Sequence, residues 1–74
     1  MEANYRVICD GVKIRIYASV NSTATGMLFY GDMIYGASFP FYNEGKEWVS
    51  FTDSFGNERF VCFYDGNDDL LEFA

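Results

Sequence analysis

Residues 47–64 have the sequence EWVSFTDSFGNERFVCFY, and this stretch decides the fold. Its first part alternates, so that Trp48 and Ser50 would face one side of a strand and Val49 the other. Residues 53–58 are rich in the turn-forming residues Asp, Ser, Gly and Asn, and a second apolar, aromatic segment follows them. Two strands joined by a short turn predict a β-hairpin.

The rest of the chain repeats this pattern of short apolar segments and turns. A small, polar segment at residues 17–26 predicts a loop, and Pro40 predicts that residues 37–46 form an edge or a loop, because proline cannot donate to a sheet. The other β-prone segments are residues 5–9, 12–16, 27–30, 33–35 and 70–73. We therefore expect an all-β protein of five or six strands.

Length and composition favour one small, well-packed domain spanning residues 1–74. Half of the residues are hydrophobic and fifteen are aromatic, which argues against intrinsic disorder. Five or six short strands in so few residues predict a closed or partly open barrel, because closure removes exposed sheet edges.

The residues needed for most catalysis are missing from the sequence. The chain has no histidine, which excludes the commonest general base and the histidine-dependent nucleophiles. It has no phosphate-binding loop and no dinucleotide-binding fingerprint. Carboxylates are plentiful, but acid–base catalysis needs a cleft that raises the pKa of one of them. A small barrel leaves little room for such a cleft. We predict neither an enzyme nor a cofactor.

One acidic segment partly resembles a calcium-binding loop. Asp65, Asn67 and Asp69 match the oxygen ligands at the first, third and fifth positions of such a loop. Leu70 stands where the loop needs glycine, however, and the acid Glu72 comes too early for the last ligand. We expect an acidic turn without a metal, with a weak calcium site as the alternative.

The two cysteines and the first residues of the chain give indications of the cellular compartment of the protein. Cys9 and Cys62 each fall within a predicted strand, which favours two buried free thiols over a disulfide between the terminal strands. The first residues lack the basic and apolar regions of a secretory signal, and the longest apolar run, residues 60–64, is too short to cross a membrane. We expect a cytoplasmic protein that does not bind membranes.

The first half of the chain resembles the bacterial SH3-like (Src-homology-type) domains. Residues 12–15 are similar to the family's V-N-V-R strand, and residues 26–34 to its G-x-L-x-x-G-D-x-V hairpin. Residues 47–51 and 56–61 are similar to the family's later W-x-K-V and G-K-T-G-W-V segments. The chain departs from the family pattern at residues 16–18 and in the long segment 37–46.

This resemblance implies a five-stranded, strongly bent barrel that binds a ligand and is not catalytic. Family members often bind cell-wall peptides when they are secreted. The departures fall where the family tends to contact its ligands, so we expect a different partner.

The aromatic residues are more numerous than a small core can bury. The alternatives are that most of them pack in the core or cover a barrel end, or that some form an exposed binding surface. The segment Phe39, Phe41 and Tyr42 on a predicted loop is the best candidate for such a surface, and Phe55 at a hairpin tip is the next. The predicted aromatic contacts are Tyr17, Phe39, Phe41, Tyr42, Trp48 and Phe55.

Charge is distributed unevenly along the chain. Residues 1–30 carry three cations and two acids, and residues 31–74 carry two cations and nine acids, which gives net charges of +1 and −7. An excess of acids disfavours direct binding to nucleic acid. The alternatives are a solvated face or a surface for a basic protein, formed by Asp53, Glu58, Asp65, Asp68, Asp69 and Glu72.

These observations favour a protein-interaction module that acts as a monomer or small homo-oligomer and binds a basic protein surface. The alternative is a small phage-type inhibitor that binds an enzyme acting on nucleic acid. Its acidic surface would imitate the charge of the nucleic acid.

Overall fold

The computed structural model describes residues 2–74, and in that range the chain forms eight strands and no helix. All strand pairs are antiparallel, which confirms the all-β prediction. The strands are β1 (Ala3–Val7), β2 (Val12–Arg15), β3 (Ala24–Leu28), β4 (Met33–Ala37), β5 (Phe41–Asn43), β6 (Lys46–Thr52), β7 (Glu58–Tyr64) and β8 (Leu71–Phe73).

The strands form two sheets, with β6 and β7 as the longest pair. The larger sheet has the order β3-β2-β7-β6-β5, and the smaller sheet has the order β4-β1-β8. The pairs Val49–Val61 and Thr52–Glu58 set the register of β6 against β7, and the Asp53 N–H donates to the Asn57 carbonyl across the turn at 2.9 Å. The hairpin predicted from residues 47–64 is therefore confirmed.

Eight strands form where five or six were predicted; seven of them overlap the β-prone segments named from the sequence, and β5 is the additional one. β3 begins at Ala24, within the predicted loop of residues 17–26, and it lies at the edge of the larger sheet. β5 follows Pro40 and lies at the opposite edge. Edge strands tolerate exposed side chains, so the apolar pattern alone does not reveal them.

Both faces of the β6–β7 hairpin are buried. Trp48 and Val49 are neighbours on β6 and point to opposite faces, yet they are only 1% and 0% exposed. The same holds on β7 for Val61 and Cys62. The larger sheet must therefore be covered on both sides.

The smaller sheet covers the Val49 face. Phe51, which points the same way as Val49, lies beside Ile34 of β4. The core on this side contains Tyr5 and Val7 from β1, each 0% exposed. Burial of large apolar side chains stabilises folding by about 1.5–3 kcal/mol each, so this core provides the main support of the fold.

Residues 16–23, here named the covering loop, lie over the Trp48 face. The Asn43 side-chain amide donates to the Ala18 carbonyl at 2.7 Å, and the Arg15 guanidinium donates to the Ser22 carbonyl at 2.7 Å. The Ser19 hydroxyl contacts the Glu44 carboxylate at 3.0 Å. The loop is thus tied both to β2 and to the β5–β6 hairpin.

Two serines join the sheets at one corner. The Ser38 N–H donates to the Ser50 carbonyl at 2.8 Å, and the Ser50 N–H donates to the Ser38 hydroxyl at 2.9 Å. Ser38 follows β4 of the smaller sheet, and Ser50 lies on β6 of the larger sheet. Over residues 2–74 the two sheets stay separate and do not close into one barrel.

A search of the described residues for a long apolar helix that could cross a membrane finds none.

The serine junction predicts a specific loss of stability. Ser38→Ala removes the acceptor of the partly buried Ser50 N–H, and an unsatisfied buried donor costs about 1–3 kcal/mol. Urea denaturation should therefore show this decrease in the free energy of unfolding. Ser54→Ala, at an exposed position in the β6–β7 turn, is the matched control and should change it by less than about 0.5 kcal/mol. Equal effects of the two substitutions would contradict the role given to the junction.

Candidate functional site

Most of the aromatic side chains lie on the surface. Nine of the fifteen aromatic residues are exposed, so the core takes up only a minority of them. The exposed aromatic residues are Tyr17, Phe29, Tyr30, Tyr35, Phe39, Phe41, Tyr42, Phe55 and Phe73.

Two exposed phenylalanines form what we name the aromatic patch, which consists of Phe39 and Phe73. Their ring centroids are 6.4 Å apart and the rings meet edge to face. Phe73 also packs against Phe63 at 5.6 Å and against Tyr5 at 5.0 Å. The patch therefore rests on further aromatic rings that extend from the surface into the core.

Tyr5 fixes the base of the aromatic patch. Its ring is fully buried, and its hydroxyl donates to the Ser38 carbonyl at 2.6 Å, directly before Phe39 in the chain. Burial raises the pKa of the Tyr5 hydroxyl, so the group stays neutral and keeps this hydrogen bond. A rigid base of this kind lowers the entropy lost when a patch binds a partner.

The other predicted aromatic contacts lie elsewhere. Phe41 packs against Phe60 of β7 at 6.2 Å, and Tyr42 is 73% exposed on the edge strand β5. Tyr17 lies on the covering loop, and Phe55, which is 87% exposed, lies in the β6–β7 turn. The predicted anchors outside the patch therefore lie on three different segments: β5, the covering loop and the β6–β7 turn.

The prediction that Trp48 contacts a partner is wrong. Its side chain is only 1% exposed, and its indole Nε1–H donates to the Asn43 carbonyl at 3.0 Å. Trp48 was predicted as a contact because the aromatic residues are more numerous than a small core can bury, but the covering loop buries the face of β6 on which Trp48 lies. Trp48 is a core residue.

The predicted acidic residues belong to different places as well. Asp53 and Glu58 lie at one end of β7, and the turn that contains Asp65, Asp68 and Asp69 lies at the other end. A strand of seven residues is about 20 Å long, so the two groups are far apart. The acids do not form one compact face.

Two of these carboxylates accept hydrogen bonds from the backbone of the turns in which they lie. Asp53 Oδ1 accepts the N–H groups of Phe55 and Asn57, both at 2.9 Å. Asp65 Oδ1 accepts those of Asn67 and Asp68, at 2.8 Å and 2.7 Å. Backbone hydrogen bonds, from Asn57 and Asp68 foremost, lower the pKa of Asp53 and Asp65. Both residues therefore have a structural role.

Two of the predicted acids form ion pairs with arginines. Glu72 pairs with Arg6 at 2.9 Å, and Asp53 lies 3.6 Å from the Arg59 guanidinium. Glu58, Asp68 and Asp69 are exposed and, within residues 2–74, form no ion pair. These three are the predicted acids best placed to contact a basic partner.

The turn that partly resembles a calcium-binding loop is held by its own hydrogen bonds. One oxygen of Asp65 already serves two backbone N–H groups, which is the bonding of an ordinary acidic turn. In the part of the chain that the structure describes, no three His, Cys, Asp or Glu side chains are grouped as metal ligands. Cys9 and Cys62 are free thiols, the first half-buried and the second buried.

Two hollows beside the end of the β6–β7 hairpin were not predicted from the sequence. Ile14 and Phe51 line two adjoining hollows of about 290 and 320 Å³, with Tyr35 beside one and Phe55 beside the other. Sequence reasoning also missed Phe73. The only signal in the sequence was its place in the last apolar segment, next to the acid Glu72.

Comparison with known protein families, curated proteins and solved structures finds no match for the chain. The resemblance to bacterial SH3-like domains therefore stays a prediction based on short motifs.

The turn carboxylates predict how stability depends on pH. Because folding lowers the pKa of Asp53 and Asp65 below the usual 3.8, the stability that they add is complete above that value. It is lost as pH falls through the lower pKa values of the folded protein. The double variant D53N/D65N keeps the turn acceptors but not the charges. Its free energy of unfolding should therefore change less steeply than that of the wild type below about pH 4.

Urea denaturation over a series of pH values measures this slope. The double variant E58Q/D69N removes two charges from the same two turns and measures the effect of lost charge alone. If D53N/D65N kept the full wild-type slope, these carboxylates would not have the role described.

Proposed function

We propose that this protein is a non-catalytic protein-interaction module whose aromatic patch contacts a partner with a basic surface. The observation that carries this proposal is the rigid support of Phe39 and Phe73. Both rings are at least half exposed, yet Phe73 packs on the inner rings of Phe63 and Tyr5. Exposed apolar groups of this kind cost solvation in a free protein and become favourable when a partner covers them.

Aromatic residues are the commonest energetic centres of protein interfaces. They bury a large area while losing few rotatable bonds, and a supported ring loses even less freedom on binding. Phe39 and Phe73 meet edge to face, which leaves each ring with an exposed surface. We expect them to fill an apolar hollow on the partner.

The charge of the chain supports a basic partner. The net charge is −6, and exposed Glu58, Asp68 and Asp69 have no ion pair among the described residues. A field of this sign attracts basic surfaces and speeds encounter with them, while a nearby acidic surface is repelled. The same charge disfavours direct contact with nucleic acid.

The finer fold and location are part of the same proposal. We place the two sheets in an SH3-like barrel of the bacterial type that is open on one side. Support comes from the pairing of β1 with both β4 and β8 and from the serine junction between the sheets. Free Cys9 and Cys62 suit a reducing compartment, which supports a cytoplasmic location.

The alternative of a phage-type inhibitor that imitates nucleic acid stays a prediction. Imitation needs acids spaced along one face, and the acids of the two turns at the ends of β7 lie about 20 Å apart. The aromatic patch gives the interaction module the more specific support.

Selection from a random peptide-display library tests the proposal without a known partner. Selected peptides should be rich in Lys and Arg and should contain an apolar residue. For a synthetic selected peptide, Phe39→Ala and Phe73→Ala should each weaken binding by about tenfold, the usual cost of truncating an interface anchor. Isothermal titration calorimetry measures the affinity, and added salt should weaken it further.

Phe29→Ala is the matched control, because Phe29 and Phe73 are equally exposed at 57% and Phe29 lies outside the patch. It should leave the affinity within about twofold of the wild type. Circular dichroism checks that each variant is folded. Selected peptides that are acidic, or that bind Phe39→Ala and Phe73→Ala as tightly as the wild type, would contradict the proposal.

A further inference from the structure

Three of the five cations in this acidic chain line a single pocket. Arg6 and Arg59 are held in ion pairs, with Glu72 and Asp53 respectively. The other three, Lys13, Arg15 and Lys46, lie around a pocket of about 190 Å³ between the covering loop and the larger sheet. We name it the basic pocket.

The lining of the basic pocket carries an excess of positive charge. Within residues 2–74, none of the three cations forms an ion pair with an acid. Asp65 is the only acid in the lining among residues 2–74, and its charge offsets one of the three cations, since the backbone hydrogen bond from Asp68 foremost, and Lys46 in addition, lower its carboxyl pKa. Three cations against one acid leave two uncompensated positive charges in the lining, which favour an added anion.

Cys62 does not supply that anion. It also lines the basic pocket, but burial foremost, and Asp65 in addition, raises the pKa of its thiol to about 11. The thiol is therefore protonated and uncharged near neutral pH. The pocket keeps its positive character in the free protein.

The inner wall of the basic pocket is apolar. Val20 of the covering loop and Leu70 provide it, while Val12 and Trp48, only 7% and 1% exposed, add little accessible surface. A bare inorganic anion would leave this wall without a partner. An anion attached to an apolar group would use both the wall and the cations, because burial of apolar surface adds to the charge attraction.

Size and donor geometry narrow the class of ligand. At roughly 30 Å³ for each water molecule, the pocket holds about six waters, which suits one apolar side chain with its carboxylate. Arg15 uses one N–H to hold the Ser22 carbonyl at 2.7 Å and keeps its other donors. A guanidinium with free donors matches the two oxygens of a carboxylate.

We propose that the basic pocket binds the carboxylate of an apolar amino-acid residue, either at the C-terminus of a peptide or in a free acylated amino acid. Lys13, Arg15 and Lys46 contact the carboxylate, and the apolar wall contacts the side chain. This site is separate from the aromatic patch and does not depend on the interaction proposed above.

A titration of the full chain followed by NMR tests the proposal. The probe is N-acetyl-leucine, and its uncharged analogue N-acetyl-leucinamide is the paired control ligand. The acid should shift the backbone amide signals of Val20, Trp48 and Cys62 in a saturable way, and the amide should bind at least about tenfold more weakly. The peptide N-acetyl-Gly-Gly-Leu separates the two sources. Tighter binding than the single residue indicates a peptide C-terminus, and equal binding indicates the free acid.

Variants assign the binding to the basic pocket. Lys13→Gln and Lys46→Gln should each weaken binding of N-acetyl-leucine by about threefold to tenfold. Arg6→Gln removes the same charge from the smaller sheet and should leave the affinity within about twofold of the wild type. Phe73→Ala should also leave it unchanged, which separates this test from that of the aromatic patch.

Three results would overturn the proposal. The first is equal binding of the acid and the amide, which would show that charge has no part. The second is binding of inorganic phosphate to the same residues as tightly as N-acetyl-leucine, which would show a general anion effect. The third is equal weakening by Arg6→Gln and Lys46→Gln, which would show that only net charge matters.

Discussion

The burial of two adjacent residues on one strand, Trp48 and Val49, is the constraint on which the rest of the structure depends. Their side chains point to opposite faces of the larger sheet, and both are shielded from water. A sheet buried at both positions needs a cover on each side. The smaller sheet provides one cover, and the covering loop, residues 16–23, provides the other. The serine junction and the clamp from Asn43 to Ala18 hold these covers in place.

Each cover contributes to one of the two proposed binding surfaces, the aromatic patch and the basic pocket. The smaller sheet brings Phe73 of β8 over Tyr5 of β1, which supports the aromatic patch. Val20 of the covering loop lines the basic pocket together with residues of β2 and β6. The two surfaces differ in chemistry. The aromatic patch is apolar, and the basic pocket contains three of the five cations of the chain. They can therefore serve different ligands on one small domain.

Local pattern predicted the strands well and the contacts between distant segments poorly. Alternation and turn residues were enough to predict the hairpin of residues 47–64, because both signals lie within one segment. The surplus of aromatic residues led to the wrong prediction that Trp48 lies on the surface, since a polar loop from elsewhere in the chain covers it. Phe39 was predicted as a contact, but its partner Phe73 is 34 positions away in sequence. The cations of the basic pocket likewise come from β2 and from the start of β6, which only the pairing through β7 brings together. Such sites depend on tertiary structure that a single sequence pattern does not contain.

The most direct test of the buried Trp48 face is quenching of its fluorescence by acrylamide, because Trp48 is the only tryptophan in the chain. If the covering loop shields it, the native protein should be quenched far less than the urea-unfolded chain. Asn43→Ala, which removes the clamp to Ala18, should increase the quenching of the folded protein. Native quenching as strong as that of the unfolded chain would contradict the central claim that both faces of the β6–β7 hairpin are covered.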